Sequence, residues 1–195
     1  MKRYFIFYKP FNVLCQFSAE GEKITLSEYL SPIPKNIYPV GRLDYDSEGL
    51  LLLTNDTQLN HQLLDPAFKH PRTYLVQVEG IMDDDALKQL EQGVVINVNG
   101  EKYKTRTAKA EKIIGEPKVP ERKPAIRFRK NIPTSWIYLT LTEGKNRQVR
   151  KMTAAAGYPT LRLIRYRIGQ LGLNELAPGQ YKEIGQQELM QLLAL

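Results

Sequence analysis

The densest set of reactive side chains lies in Gly41-Arg42-Leu43-Asp44-Tyr45-Asp46-Ser47-Glu48-Gly49. Asp44, Asp46 and Glu48 sit at alternate positions and share one face if the segment is extended. A divalent-metal nuclease or a paired-carboxylate hydrolase would be laid out in this way. Asp44-x-Asp46-x-x-Gly49 also opens like a calcium loop. The twelfth loop position is Asn55, where a bidentate Glu is needed, so that match fails. A polar turn whose acids are simply solvated accounts for the same spacing, and spacing alone leaves these readings open.

Other reactive side chains are scattered. His61 follows the candidate helix cap Asp56 and His70 sits beside Pro71, with no cluster of ligands around either in the sequence. Cys15 is the single cysteine, which excludes an intrachain disulfide and a Cys-rich zinc site. No metal-ligand set is expected.

The chain of 195 residues carries a net charge of +7, spread unevenly. Residues 1–97 hold 9 basic and 13 acidic side chains, residues 98–195 hold 19 and 8. Gly144 to Asn174 contains no acid but carries Lys145, Arg147, Arg150, Lys151, Arg162, Arg165 and Arg167. A second basic run comprises Lys118, Arg122, Lys123, Arg127, Arg129 and Lys130. One-sided charge of this kind raises the local potential for a polyanion, so a nucleic-acid contact is expected of both runs. Apolar residues at 42% and charged residues at 25% are ordinary globular composition. No apolar run reaches the roughly 20 residues of a membrane span, and the start, Met1 to Pro10, lacks a signal-peptide core. A cytoplasmic protein without a membrane partner is expected.

These side chains must be positioned by elements whose local signals are clear. Tyr4–Lys9 is aromatic and β-branched, a strand stopped by Pro10. Residues 24–30 suggest a short helix, and Leu50–Leu53 a strand buried on both faces. Asp56 caps a helix over Thr57–Leu64 that Asp65-Pro66 ends. Arg72–Gly80 alternates as a strand, and Asp83-Asp84-Asp85 opens a helix that Gly93 stops. Further strands are expected at 94–98, 103–114 and 136–142, a loop at 115–133, and helices at 146–156 and 185–195. A helix over 146–156 would place Arg147, Arg150 and Lys151 on one side and Val149 towards the core. Without regular crossover helices, these elements predict an α+β fold with a mixed, mainly antiparallel central sheet and flanking helices.

Three ordered segments then resemble one family. Gly41-Arg42-Leu43-Asp44-x-x-Ser47-x-Gly49-Leu50-Leu51-Leu52-Leu53-Thr54-Asn55 resembles the catalytic motif of the pseudouridine synthases. The branch is the one containing RsuA, RluB, RluE and RluF. Arg72-Thr73-Tyr74-Leu75-Val76 is similar to its tyrosine motif, and Glu143-Gly144-Lys145-Asn146-Arg147-Gln148-Val149-Arg150-Lys151-Met152 to its third motif. Leu161–Gly169 follows as it does in that branch, and the resemblance spans residues 4–184.

The resemblance implies a pseudouridine synthase fold with a basic catalytic cleft. It implies one catalytic domain over residues 1–195, two lobes sharing one sheet, with no S4-type RNA-binding domain ahead of it. The implied reaction isomerises a uridine of 23S ribosomal RNA, flipped from its stack, without metal or cofactor. The partner is large-subunit rRNA, free or in assembly intermediates, and the protein is expected to be a monomer. By motif match Asp44 is the nucleophile or base at the ribose–uracil bond, Arg150 pairs with it, and Tyr74 stacks on the base. Arg42 helps hold the extruded nucleotide and Val149 lines the pocket beneath it. A uridine of 16S or other RNA, or a non-catalytic RNA-binding module of ribosome assembly, is the alternative.

Overall fold

In the computed structural model, residues 1–126, 132–173 and 175–195 are described. In chain order the elements are β1 (Tyr4–Lys9), α1 (Ser27–Leu30), β2 (Tyr38–Pro39), β3 (Glu48–Thr54), α2 (Thr57–Leu64), β4 (Arg72–Glu79), α3 (Asp84–Glu91), β5 (Val95–Val98) and β6 (Glu101–Lys104). There follow β7 (Lys109–Ile113), β8 (Thr134–Leu141), α4 (Gln148–Ala155), β9 (Thr160–Ile168), β10 (Leu171–Gly172), β11 (Tyr181–Glu183) and α5 (Gln186–Leu193). They form two compact units, residues 1–70 with 164–195, and residues 71–163. Among the described residues no helix is long and apolar enough to cross a membrane.

In the first unit, β1 lies antiparallel to β3 from Tyr4↔Thr54 to Lys9↔Gly49, and β11 borders β1. On its other edge β3 meets β9 in parallel, with Glu48↔Ile164 and Gly49↔Arg165. A strand enclosed on both edges and both faces must be continuously apolar, which is why Leu50 to Leu53 are buried without alternation. Phe5, Phe7, Leu51 and Leu53 pack with Val13, Leu26, Leu30 and Ile37 on one side. The aromatics of β1 are therefore core residues. Asp56 caps α2 through Gln58 and Leu59 N–H groups at 3.2 and 3.3 Å, and it also accepts from Tyr4 Oη at 2.9 Å. Burial, reinforced by that bond, pushes the Tyr4 hydroxyl up to about 12.

In the second unit, β4 and β7 flank β8, both antiparallel, while β5 and β6 form a separate hairpin. Val76, Val78, Ile137, Leu139 and Leu141 face the apolar sides of α3 and α4, supplied by Ala86, Leu90, Val149 and Met152. Asp83 caps α3 by accepting from Ala86 N–H at 2.8 Å. The fold is α+β and its pairings are mainly antiparallel, as the element pattern predicts.

Two local expectations are corrected and one strand is added. The single strand expected over 103–114 is two, β6 and β7. Between them Thr105 exchanges hydrogen bonds with the backbone of Val94, and Arg106 N–H donates to the Glu143 carboxylate at 2.9 Å. Those bonds take the linking residues out of either ladder. Residues 160–168, to which no element is assigned above, form β9, with arginines at 162, 165 and 167 among its apolar residues. The helix expected from 146 begins at Gln148, since Arg147 is left-handed at φ 52°. Arg147 therefore does not share a helical face with Arg150 and Lys151.

Candidate active site

The Gly41–Gly49 segment of the first unit is a turn delivering the chain into β3. Ser47 N–H donates to the Asp44 carbonyl at 3.0 Å, and Asn12 N–H ties the Tyr45 carbonyl at 3.0 Å. Leu43 is buried beneath the turn, Arg42 is exposed, and Asp44 and Asp46 are half-buried. Glu48 is not one of a turn's solvated acids: it is buried as the first residue of β3. Among the described residues no three His, Cys, Asp or Glu side chains are grouped to hold a metal, so the three alternating carboxylates do not form the nuclease-type triad.

The sequence reasoning missed Lys9. It is fully buried, and its Nζ donates to the carbonyls of Ser47 at 2.8 Å and Pro10 at 2.9 Å, pinning the turn that carries Asp44. Burial pushes the ammonium down to about 8, against the opposing pull of Glu48, Asp46 and Asp44. The only signal in the sequence is a cation inside an apolar strand pattern. Because the folded protein binds this proton less tightly than the unfolded chain does, the charged form costs stability below pH 8. That cost fades as the pH rises from about 8 towards 10.5. Relative to Lys9→Met, the wild type should gain about 2–3 kcal/mol between pH 7 and pH 10. Urea unfolding of both proteins at the two pH values measures it; a difference that does not change with pH would show an ordinary lysine.

In the second unit, Tyr74 lies on β4 opposite Leu139 of β8 and packs, half-buried, on the apolar cluster that contains Val149. The structure thus brings the tyrosine and the expected pocket residue into one cluster. Arg150 follows on the same turn of α4, half-buried. Lys151 is half-buried with its Nζ 3.4 Å from Asn146 Oδ1, and Arg147 is exposed. The Lys145 ammonium, also exposed, lies 4.7 Å from the Tyr103 ring centroid.

The remaining basic candidates divide by burial. Arg162 and Arg165 are inside rather than on a solvated face. Arg165 Nε donates to the Leu50 carbonyl at 2.7 Å within the first unit, and Arg162 Nη2 to the Pro120 carbonyl at 2.8 Å within the second. Arg167 is half-buried with its guanidinium 5.8 Å from the Tyr166 ring centroid. Lys118 and Lys123 are exposed, while Arg122 Nε bonds the Pro124 carbonyl at 2.9 Å. Arg127, Arg129 and Lys130 lie outside the described residues.

Each unit carries its own part of the motif set expected of an RNA pseudouridylate synthase: the aspartate turn in the first, the strand tyrosine and the basic helix start in the second. The family of that description matches residues 3–155, and the chain belongs to it. Among its relatives, the ribosomal large subunit pseudouridine synthase E of Vibrio parahaemolyticus is 47% identical over 183 residues, 94% of this chain and 74% of the relative. The protein of the same name from Xanthomonas campestris pv. campestris is 47% identical over 176 residues, 89% of this chain and 91% of the relative. A crystal structure of a pseudouridylate synthase matches with a TM-score of 0.80 at 29% identity, over 98% of this chain and 74% of that one. The family expected from the three ordered segments is the family found.

Proposed function

We propose that this protein converts a uridine of 23S ribosomal RNA to pseudouridine. The observation that carries the choice of RNA is the 47% identity, over 94% of the chain, to a relative named for the large ribosomal subunit. In the reaction the N1–C1′ bond breaks, the uracil turns, and a C5–C1′ bond forms. The C5 proton leaves to solvent and N1 gains one. No electrons change hands, so no redox cofactor is called for, and in this reading the protein acts without a metal as a cytosolic monomer.

In this reading Asp44 supplies the carboxylate that acts at C1′ or as base, Tyr74 a π face for the uracil, and Arg150 a fixed guanidinium. Val149, a member of the apolar cluster against which Tyr74 packs, gives the base a dry floor. Arg42, exposed on the aspartate turn, suits a contact to the displaced nucleotide. The test uses 23S rRNA carrying tritium at uridine C5, with EDTA present. Tritium release together with a mapped pseudouridine supports the reading. Release from 16S rRNA instead would move the target, and tight binding without release from any rRNA or assembly particle would leave a binding module.

The loop after β7 is the proposed RNA grip. Its described part is anchored by Trp136 Nε1 donating to the Glu116 carboxylate at 2.8 Å and by Arg162 at the Pro120 carbonyl, leaving Lys118 and Lys123 exposed. Each phosphate neutralised contributes about 0.7–0.9 to the slope of log K against log salt. Replacing both lysines by Ala should therefore flatten that slope by about 1.5 and leave the rate at saturating RNA unchanged. An unchanged slope would remove the loop from the interface.

A further inference from the structure

We propose that Glu143 is a positioning residue which, with Tyr103 and Gln148, sets the first turn of α4 and thereby aims Arg150 and Val149. The inference rests on the reading of Arg150 as a reaction residue.

Glu143 is 4% exposed, yet it carries a carboxylate that no step of the reaction uses. Its oxygens collect donors from three places in the second unit. Tyr103 Oη of β6 donates to Oε2 at 2.6 Å, Arg106 N–H to Oε1 at 2.9 Å, and Gln148 Nε2 of α4 to Oε1 at 2.7 Å. The Arg106 Nε lies 4.0 Å from Oε2. Burial alone would push this carboxyl up, but these bonds outweigh it and the group lies below the ordinary carboxylate range.

The Gln148 amide is held at both ends. Its Nε2 donates to Glu143 while its Oε1 accepts from Lys145 N–H at 2.9 Å, and Gln148 N–H returns to the Lys145 carbonyl at 3.1 Å. The amide orientation and the path of residues 144–147 are therefore specified together. That path includes Arg147 at φ 52°, a region that a non-glycine side chain enters only when its surroundings impose it. Val149 and Arg150 are the next two residues, so a shift in the anchored turn reaches both. A buried carboxylate is a poor device for stability alone, since a well-packed apolar replacement often serves as well. What a charge with directed donors adds is a single geometry, and misplacing a reacting group by about 1 Å can cost on the order of 100-fold in rate.

The test uses the 195-residue chain and 23S rRNA, reading single-turnover rate at saturating RNA, RNA Kd and thermal unfolding for each variant. Glu143→Gln keeps the shape but replaces one acceptor oxygen by a donor. Its rate is expected to fall about 30-fold while Kd stays within about threefold. Arg150→Ala, the reference, should lose at least about 100-fold. A wild-type rate for Glu143→Gln beside an inactive Arg150→Ala overturns the proposal and leaves the reading of Arg150 intact. A wild-type rate for Arg150→Ala overturns that reading and the proposal with it. Loss of rate, affinity and stability in step shows a purely structural residue and overturns the proposal. If Glu143→Gln does not fold, Tyr103→Phe decides. A fall of about fivefold at an unchanged unfolding temperature supports positioning, and no change rejects it.

Discussion

Asp44→Asn should abolish tritium release from uridine-labelled 23S rRNA, a loss of at least about 10⁴-fold, while leaving the protein folded and able to bind RNA. The amide matches the carboxylate in shape but can serve neither as nucleophile nor as base at the ribose–uracil bond. Groups other than that carboxylate hold the backbone of the turn. Ser47 N–H bonds the Asp44 carbonyl, Lys9 holds the Ser47 carbonyl, and Leu43 is buried. Thermal unfolding and RNA Kd should therefore stay near wild type, which separates a chemical defect from a folding one. Equal release by Asp44→Asn and wild type would remove Asp44 from the reaction.

Gly49→Ala should be the most damaging small substitution in the first unit, costing about 4 kcal/mol or more. Gly49 has φ 110°, where L side chains are strained. A Cβ there would stand 2.4 Å from the Arg165 carbonyl oxygen and 2.6 Å from its nitrogen, both backbone atoms of the paired strand. Neither can swing aside as a flexible side chain would, so β3 and β9 would have to part at the register Gly49↔Arg165. The damage lies five residues from Asp44, and activity should fall together with the folded fraction. Urea unfolding measures it; a loss under about 1 kcal/mol would show that the two strands can separate at little cost. The glycine that closes the aspartate motif is thus required by strand packing.

The segments with strong local signals agree between sequence and structure. The Tyr4–Lys9 strand, the Thr57–Leu64 helix behind its Asp56 cap and the Arg72–Glu79 strand depend on short-range patterns, and neighbours in the chain suffice to specify them. Gln148–Ala155 begins two residues later than its apolar pattern suggests, because the preceding backbone answers to Glu143 and not to helix propensity. The buried arginines of β9 carried the same ambiguity. A guanidinium reads as a phosphate contact in a sequence, yet Arg165 bonds a carbonyl 115 residues away.

By itself the sequence determined the family and the kind of reaction, since three motifs in order depend on residue identity alone. It also determined the elements whose signals lie within one or two turns of chain. Only the tertiary structure decided which charges are internal: Lys9 beneath the aspartate turn, Glu143 at the start of α4, Arg162 and Arg165 in β9. Burial and hydrogen-bond partnership are set by residues far apart in the chain, and a charged side chain carries no local mark of whether water or a carbonyl will surround it.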